Sequence, residues 1–412
     1  MIQKNLEPLA AQDLSGFKYF RRLRPLLQRL HDAGTARDKA GNRSLYFDHY
    51  CTLVLLALFN PLVRSLRGMQ RASELRKVQQ RLGVPRTSLG SLSESSHVFD
   101  PELLVPIIHE LSGQLRPVAQ DPRLTEVRQV LTAVDGTLVK ALPKLAEAMW
   151  LKTKDGQPQH AWRLHTHFDV IRGVPVRMER TDARNRGASN EKAVLRRRLQ
   201  TDHCYVFDRL YAQFTLYNDI VATQSSYVGR LRDNSNYEVI QERPLSAEAR
   251  AAGIVQDAVV RLGMTSKPKS RPNHPMRIVV VAVRPHQKRG GRKGKTAGPA
   301  SNGRLLIGTN LLEVPAEIIA LIYRYRWTIE IFFRFFKHVL GCKHLFSAFP
   351  NGIAIQTYCA LIACMLINLW TGHKPTQATY EILGWYFLGW ATLAEVEAHL
   401  AKLARSPPTR AT

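Results

Sequence analysis

The spacing of apolar and polar residues changes several times along this chain. Up to about residue 118, apolar residues recur every three or four positions, which predicts helices. From about residue 120, short apolar runs rich in β-branched residues predict buried strands with helices between some of them. Only strand-like runs occur between about 236 and 311, and helical spacing returns from Glu317 onward. The pattern predicts an α/β protein, and its 412 residues predict more than one domain.

Two of the predicted central strands end in aspartate. The first, Val127 to Val134, is ended by Asp135-Gly136-Thr137, and the fourth runs from Cys204 into Asp208. Taken alone, Asp135-Gly136 is also a common turn pair, and either aspartate could be purely structural. If the first and fourth strands are neighbours in a mixed sheet, however, both aspartates lie at the same end of that sheet.

The helix predicted from Glu317 to about Leu340 carries a narrow polar stripe. At about 100° per residue, Tyr323, Arg326, Glu330, Arg334 and Lys337 fall within a sector of roughly 80°, and the rest of this stretch is largely apolar. A helix that is apolar nearly all round is normally buried, and charges are seldom buried unless they are paired or bound to a metal. The stripe therefore faces a polar cleft, or Glu330 forms ion pairs with Arg326 and Arg334.

Asp135, Asp208 and Glu330 together suit divalent cations. Three converging carboxylates without a paired base favour Mg²⁺, which prefers a few carboxylates together with water and phosphate oxygens. Two such ions about 3.5–4 Å apart support phosphoryl transfer.

The charge of the chain indicates a polyanionic partner. A net charge of +26 and a pI near 10.2 favour nucleic acid over an ordinary globular role. The basic run 284–304 contains no acidic residue, and the helix-turn-helix outline over 73–95 turns at Gly83. Glu191 lies in a predicted helix, Ser189 to Leu199, whose charges are interpreted as a solvated face, with Ser189 as its N-cap. The predicted DNA contacts outside the polar stripe are Arg230, Arg232, Lys288, Arg289, Arg292 and Lys293.

Several other classes of protein are disfavoured. The N-terminus has no apolar signal core, and the apolar run Ile353 to Trp370 contains polar residues and lacks a flanking basic cluster, so it is interpreted as a buried core helix. The five cysteines are scattered without a Cys-x-x-Cys pair, which fits a reducing cytoplasm and predicts neither disulfides nor a zinc site. No phosphate-cradling Gly-x-x-x-x-Gly-Lys-Ser/Thr loop occurs, so no nucleotide cofactor is expected.

The spacing Tyr323-x2-Arg326-x3-Glu330-x6-Lys337 resembles the YREK signature of DDE transposases of bacterial insertion sequences, in the group called the "IS-four" family. Asp135-Gly136-Thr137 resembles the first acidic motif of that family. Asp208-Arg209-Leu210-Tyr211 resembles the second, which is commonly Asp-Arg-Gly-Tyr, so Leu210 departs from the pattern. The resemblance covers residues from about 90 to 370.

The resemblance implies an α/β multidomain protein with an RNase H-like mixed-sheet catalytic core. Asp135, Asp208 and Glu330 would be the catalytic residues and would bind two Mg²⁺, with Mn²⁺ able to substitute. Tyr323, Arg326 and Lys337 would contact the DNA backbone near the cleaved end. The expected partners are double-stranded DNA, namely the terminal inverted repeats of the element and the target, and a second copy of the chain on DNA. A bacterial cytoplasmic location associated with the nucleoid is expected.

The expected domain division follows from these patterns. It comprises a helical DNA-binding region (1–118), the first part of the core (119–235), a β-rich insertion (236–311), the second part of the core (312–372), and a helical C-terminal segment (373–412), a candidate for dimerisation that ends in a disordered tail. Two alternative functions stay open. One is a DNA-binding protein without catalysis, such as an inactive relic or a regulator, and the other is a related two-metal nuclease.

Overall fold

The computed structural model describes residues 20–33, 41–60, 62–115, 117–118, 121–140, 149–152, 158–264, 266–267, 270–283, 303–342, 345–347, 349–372 and 376–405. Its helices are α1 (Phe20–Gln28), α2 (Phe47–Phe59), α3 (Leu66–Ser73), α4 (Arg76–Leu82), α5 (Leu89–Val98), α6 (Val105–Gln114), α7 (Glu191–Arg197), α8 (Phe214–Ala222), α9 (Ala247–Ala251), α10 (Ala316–Tyr325), α11 (Trp327–Arg334), α12 (Pro350–Thr371), α13 (Gln377–Phe387) and α14 (Leu393–Arg405). Its strands are β1 (Val130–Lys140), β2 (Met149–Lys152), β3 (Pro158–Asp169), β4 (Val174–Asp182), β5 (His203–Phe207), β6 (Ser226–Arg230), β7 (Tyr237–Glu242), β8 (Ile254–Leu262), β9 (Met276–Ala282) and β10 (Arg304–Thr309).

Four predicted DNA contacts lie outside the described residues. They are Lys288, Arg289, Arg292 and Lys293, all in the basic run 284–304, of which only the end beginning at Gly303 is described. The predicted tail from Ser406 also lies outside the described part.

The ten described strands form one mixed sheet. Its order is β2-β3-β1-β5-β6-β10-β9-β8-β7, with β4 pairing with β3 beside that path. The pairs β1–β5 and β5–β6 are parallel, and the other pairs are antiparallel. The expectation that the first and fourth predicted strands are neighbours is confirmed, since these are β1 and β5. The strands predicted between 236 and 311 extend the same sheet, because β10 pairs with β6.

The first strand does not end at Asp135, as the sequence had indicated, but continues to Lys140. On one side β1 keeps its antiparallel pairing with β3 through Asp135, which lies opposite Thr166. On the other side the parallel pairing with β5 stops at Ala133, opposite Val206. Asp135 therefore lies where the sheet opens on its β5 side only, and the Asp-Gly pair belongs to a strand, not a turn.

The sheet is covered on both faces. Side chains of a strand alternate between faces. Accordingly, Leu131 and Ala133 lie in the larger core, together with α2, α10, α11 and α12, while Val134 lies in a second core with α8. Helix α12 is the one helix in the described ranges that is long and apolar enough to span a membrane, and 83% of its most apolar window is buried inside the protein. The interpretation of this segment as a core helix is confirmed.

The N-terminal region contains the predicted pair of short helices. Helix α4 ends at Gly83, whose φ of +68° is the left-handed conformation that glycine adopts readily. Helix α5 begins after Ser88, which accepts a hydrogen bond from the Ser91 amide at 3.0 Å. Contact of this pair with DNA stays a prediction.

Candidate active site

Asp135 and Asp208 lie side by side on two neighbouring parallel strands, just beyond the point where the pairing of β1 with β5 stops. The register that places Ala133 opposite Val206 brings Asp135 level with Asp208 two residues further along. The next pair of strands continues the row, because Phe207 lies opposite Gly229 and Asp208 is therefore level with Arg230. By alternation, all three side chains point to the face that α10 and α11 cover.

The cap that Asp208 forms fixes the position of its carboxylate. Asp208 begins a short 3₁₀ turn, and its Oδ1 accepts a hydrogen bond from the Leu210 amide at 2.8 Å. The departure from the family motif at position 210 leaves this cap intact, and the Leu210 side chain is 45% exposed.

Helix α11 packs against β1 and carries Glu330, next to Arg326, whose charge acts on Asp135. Glu330 Oε1 forms an ion pair with Arg326 Nη2 at 2.7 Å, and the Arg326 guanidinium lies 5.8 Å from the centroid of the Tyr323 ring. Arg334 is exposed and makes no ion pair with Glu330 in the described chain, so the predicted pair between these two residues is wrong. The stretch is also not one regular helix, because a turn at Arg326 separates α10 from α11.

A π-helical turn, Phe335–Val339, follows α11 and positions Lys337. The Leu340 amide donates to the Phe335 carbonyl at 3.0 Å, five residues back. Burial lowers the pKa of Lys337, and this ammonium has no ion-pair partner among the described residues. The π turn changes the angular position that a regular helix would give Lys337, and such turns are frequent at functional sites.

Burial has the largest effect on the pKa of Asp135, and neighbouring carboxylates add to it. Burial, together with the charges of Asp208 and Glu191, raises the pKa of Asp135 to about 7, although the Gly136 amide and Arg326 act in the opposite direction. The Gly136 amide donates to Asp135 Oδ1 at 2.7 Å. A pKa this high in a cleft is typical of a site that binds a cation or a proton.

Guanidinium groups surround the carboxylates. Burial raises the pKa of Tyr323, and Arg326 and Arg230 oppose this effect, which places both cations near its hydroxyl. Arg230 is paired with Asp233 at 2.9 Å. Arg232 is exposed and, with Lys192 and Arg209, lines an open cleft of about 550 Å³ beside Asp208. The cleft is therefore positively charged immediately next to the acidic row.

Sequence reasoning missed two residues near this site. Glu191 was assigned to a solvated helix face, but its side chain is only 2% exposed. The predicted N-cap was also wrong, because Asn190 caps α7 and accepts from the Lys192 amide at 3.0 Å. Trp327, next to Arg326, is 45% exposed, and the only sequence signal for it was a large aromatic residue beside the polar stripe.

The arrangement fits divalent cations, because Asp135 and Glu191 are each affected by the charge of Asp208 and one carboxylate oxygen of the group has no partner among the described residues. Burial and, to a smaller extent, acidic neighbours raise the pKa of Asp135, and Glu191 Oε2 is buried without a hydrogen-bond partner among the described residues. Both features are costly unless a cation lies between the groups.

A second group of candidate ligands, His31, Asp48 and His49, lies in the N-terminal helical region. His31 Nδ1 is 3.0 Å from Asp48, and the Tyr46 amide donates to His49 Nδ1 at 3.5 Å. Because Nδ1 of His49 accepts this bond, its Nε2 carries the hydrogen in the neutral ring and faces Asp48 as a donor. We interpret the group as a hydrogen-bonded cluster, not as a metal site.

The fold and the site together define an α/β protein whose sheet carries acidic residues on two neighbouring parallel strands, β1 and β5. The family described as "Transposase DDE domain" matches residues 127–366, more than half of the chain, so this chain belongs to that family. Its relatives include "Putative transposase y4zB" of Sinorhizobium fredii (strain NBRC 101917 / NGR234), 26% identical over 305 residues, which cover 74% of this chain and 78% of the relative. Another is "Probable transposase for insertion sequence element IS5377" of Geobacillus stearothermophilus, 27% identical over 308 residues, with coverages of 72% and 71%.

A solved structure also resembles this fold at a low level. It is the "Cryo-EM structure of piggyBac transposase synaptic complex with hairpin DNA", with a TM-score of 0.43 and 10% identity, covering 96% of this chain and 82% of that one. The likeness is too weak to define the fold. The expectation of a DDE transposase is nevertheless confirmed by the family and the relatives.

Proposed function

We propose that this protein is the DNA transposase of an insertion sequence, which cleaves DNA at the element ends and joins the freed 3′-hydroxyl to target DNA. The observation that carries the proposal is the level placement of Asp135 and Asp208 on adjacent parallel strands, facing the helix that carries Glu330. Membership of a transposase family supports the reaction class.

Asp135, Asp208 and Glu330 would hold two Mg²⁺ ions, with Mn²⁺ able to replace them. When bound, the ions would activate a water molecule and stabilise the leaving oxygen of a phosphodiester. The carboxylates of this chain position that chemistry: the cap at Asp208 and the Gly136 amide each bind one oxygen of an aspartate and leave the other oxygen free to bind a cation.

Arg326 would act as an exchangeable partner. In this structure its guanidinium neutralises Glu330 and also lowers the pKa of Asp135. Arg326 would be able to exchange Glu330 for a DNA phosphate, of which a planar guanidinium can bind two oxygens. Tyr323, held beside it, would donate to a phosphate oxygen, and the unpaired Lys337 would add a third contact.

Arg230 and Arg232 would guide the DNA strand past Asp208. Arg230 is level with Asp208, and Arg232 lines the open cleft next to it with Lys192. These contacts bind phosphate charge without reading sequence. Lys288, Arg289, Arg292 and Lys293 would extend the same basic track. The partner is double-stranded DNA in the bacterial cytoplasm, and two protomers on DNA would pair the two element ends.

The core sheet supports an RNase H-like interpretation. The strands β4-β3-β1 are antiparallel neighbours, and β1-β5-β6 continue in parallel with helices between them. The YREK assignment rests on the spacing of Tyr323, Arg326, Glu330 and Lys337, of which the first three are gathered at one place.

Strand cleavage tests the proposal. Duplexes that carry the terminal repeats of the element are incubated with the protein and Mg²⁺, and the wild type is compared with Asp135→Ala, Asp208→Ala and Glu330→Ala. Each variant is expected to reduce cleavage at least about 10³-fold, while DNA binding persists. Unchanged cleavage in a variant removes that residue from the site. Binding without any wild-type cleavage favours the relic or regulator, and cleavage without joining favours a nuclease.

A further inference from the structure

Glu191 is a buried carboxylate that the proposed triad does not use. It is the first residue of α7, and its side chain is 2% exposed. Its amide donates to Asn185 Oδ1 at 2.9 Å, and Asn185 itself holds a left-handed φ of +56°. The backbone around Glu191 is therefore fixed by two asparagines, which hold the side chain against the sheet.

Gly136 makes room for this carboxylate. A Cβ at position 136 would lie 2.8 Å from Glu191 Oε1, so any other residue at this position would displace the carboxylate. Gly136 follows Asp135 directly and faces the opposite side of β1. Because β5 ends at Phe207, the sheet is open on the β5 side of Asp135 and Gly136, and its two faces are connected there. A side chain from the α7 face can thus reach the same opening as Asp135 and Asp208.

The two oxygens of Glu191 have different environments. Oε1 forms an ion pair with Arg163 on β3. Oε2 is fully buried and has no hydrogen-bond partner in the described part of the chain, and neither has Arg163 Nε. Burial raises the pKa of Glu191; Arg163 opposes this shift, and the charge of Asp208 adds to it. A buried carboxylate oxygen without a hydrogen-bond donor is costly. Such an oxygen is therefore expected to bind a ligand, such as a cation or a water molecule.

We propose that Glu191 is a fourth carboxylate of the cation site, with Oε2 as the oxygen that binds the cation or its coordinated water. This inference rests on the proposed function, because the cation site is the one formed by Asp135, Asp208 and Glu330. Arg163 would orient Glu191 through Oε1, as hydrogen-bonding partners orient metal ligands in other sites. The competing interpretation is that Glu191 serves only as the counter-ion of Arg163.

Direct measurement of cation binding separates the two interpretations. Mn²⁺ is titrated into the full-length, DNA-free protein and followed by electron paramagnetic resonance, and Mg²⁺ binding is measured by calorimetry. Glu191→Gln keeps the shape and the contact with Arg163 but removes the charge, and it should weaken cation binding about tenfold or more. Arg163→Gln should weaken cation binding less than Glu191→Gln does, because the carboxylate stays and only the contact that orients it is lost.

Matched controls exclude general effects of charge and of folding. Asp233→Asn removes the same charge from the neighbouring cleft and should change the affinity less than about twofold, because exposed charges are screened. Gly136→Ala should weaken binding by pushing Glu191 away, whereas Gly384→Ala, where a Cβ meets only open space, should not. Thermal unfolding of each variant reports any loss of folding separately.

The outcomes are distinct. If Glu191→Gln and Arg163→Gln lower the unfolding temperature alike and neither changes cation affinity, Glu191 is structural and the inference is overturned. An equal loss in Asp233→Asn also overturns it, because the effect would then be general charge. If Asp135→Asn and Asp208→Asn bind cations like the wild type, the proposed site itself fails. If those two variants lose binding and Glu191→Gln does not, only the fourth carboxylate is refuted.

Discussion

Two groups of charged residues in this sheet have opposite properties. Arg277 on β9 is 1% exposed, and its Nε and Nη2 each donate to Asp257 on β8 at 2.7 Å. Its Nη1 donates to the carbonyls of Leu311, Leu312 and Val314, which lead into α10. This group is fully satisfied, and it fixes the segment that delivers the Tyr323 helix to the sheet.

The carboxylates around Asp135 are less completely satisfied: each has one partner, from an amide or a guanidinium, and Glu191 has one buried oxygen without any among the described residues. Burial and the neighbouring carboxylates raise the pKa of Asp135 to about 7. The difference teaches how to separate structural from functional charge in one protein. A buried ion pair that makes all its hydrogen bonds stabilises the fold. A cluster of carboxylates with a buried, unpartnered oxygen instead indicates a site for a ligand.

Breaking the satisfied group should give the largest effect on stability. Arg277→Met leaves Asp257 buried without its partner, and the free energy of unfolding should fall by about 3–5 kcal/mol in urea denaturation. Cation affinity should not change. The control is Arg261→Met on β8, whose pair with Glu238 is 58% and 56% exposed and should be worth less than about 1 kcal/mol. Equal costs for the two variants would contradict the comparison.

Removing Arg326, the partner of Glu330, should slow strand cleavage. Arg326→Ala should slow strand cleavage about 100-fold at saturating DNA, because a donor to the reacting phosphate is lost. Glu330 would at the same time lose its 2.7 Å partner. Single-turnover kinetics with the wild type as reference provide the measurement. A change smaller than threefold would show that Arg326 only pairs with Glu330.

The pH dependence of stability should reveal the raised pKa of Asp135, which burial and the neighbouring carboxylates cause. Its pKa in the folded protein, about 7, lies above the ordinary value of 3.8, so the folded state binds the proton more tightly than the unfolded state. The stabilising contribution is therefore present below about pH 4 and is lost as pH rises through about 7. Asp135→Asn should thus stabilise the metal-free protein by about 1–3 kcal/mol at pH 8 and give little gain at pH 4. A gain of equal size at both pH values would refute the assignment.

The smallest effect is expected at Arg334. It lies on the predicted polar stripe but is exposed and does not pair with Glu330. Arg334→Ala should change the free energy of unfolding by no more than about 0.5 kcal/mol. A loss above 1 kcal/mol would indicate an ion pair that forms in solution.

The sequence located the candidate site because its signals are local. A β-branched run followed by aspartate indicates a strand end in a parallel sheet, and the 3.6-residue period gathers Tyr323, Arg326 and Glu330 on one side of a helix. The same local signals gave wrong predictions where the conformation or the exposure of a residue depends on contacts with residues distant in sequence. Asp135-Gly136 has the composition of a turn, yet pairing with β3 keeps β1 extended to Lys140. Likewise, the charges of α7 indicated a solvent-exposed face, but Gly136 receives Glu191 into the protein.

By itself, the sequence determined the family, most of the order of strands and helices, and the candidate site residues, because composition and periodicity depend on neighbouring residues only; β2, α9 and the break between α10 and α11 were not predicted. The tertiary structure alone decided which charges are satisfied. Arg277 and Glu191 are both buried, and nothing in their sequence surroundings distinguishes the residue with five hydrogen bonds from the one with a free oxygen. That distinction depends on which strands and helices end at the same place, and long-range pairing sets those positions.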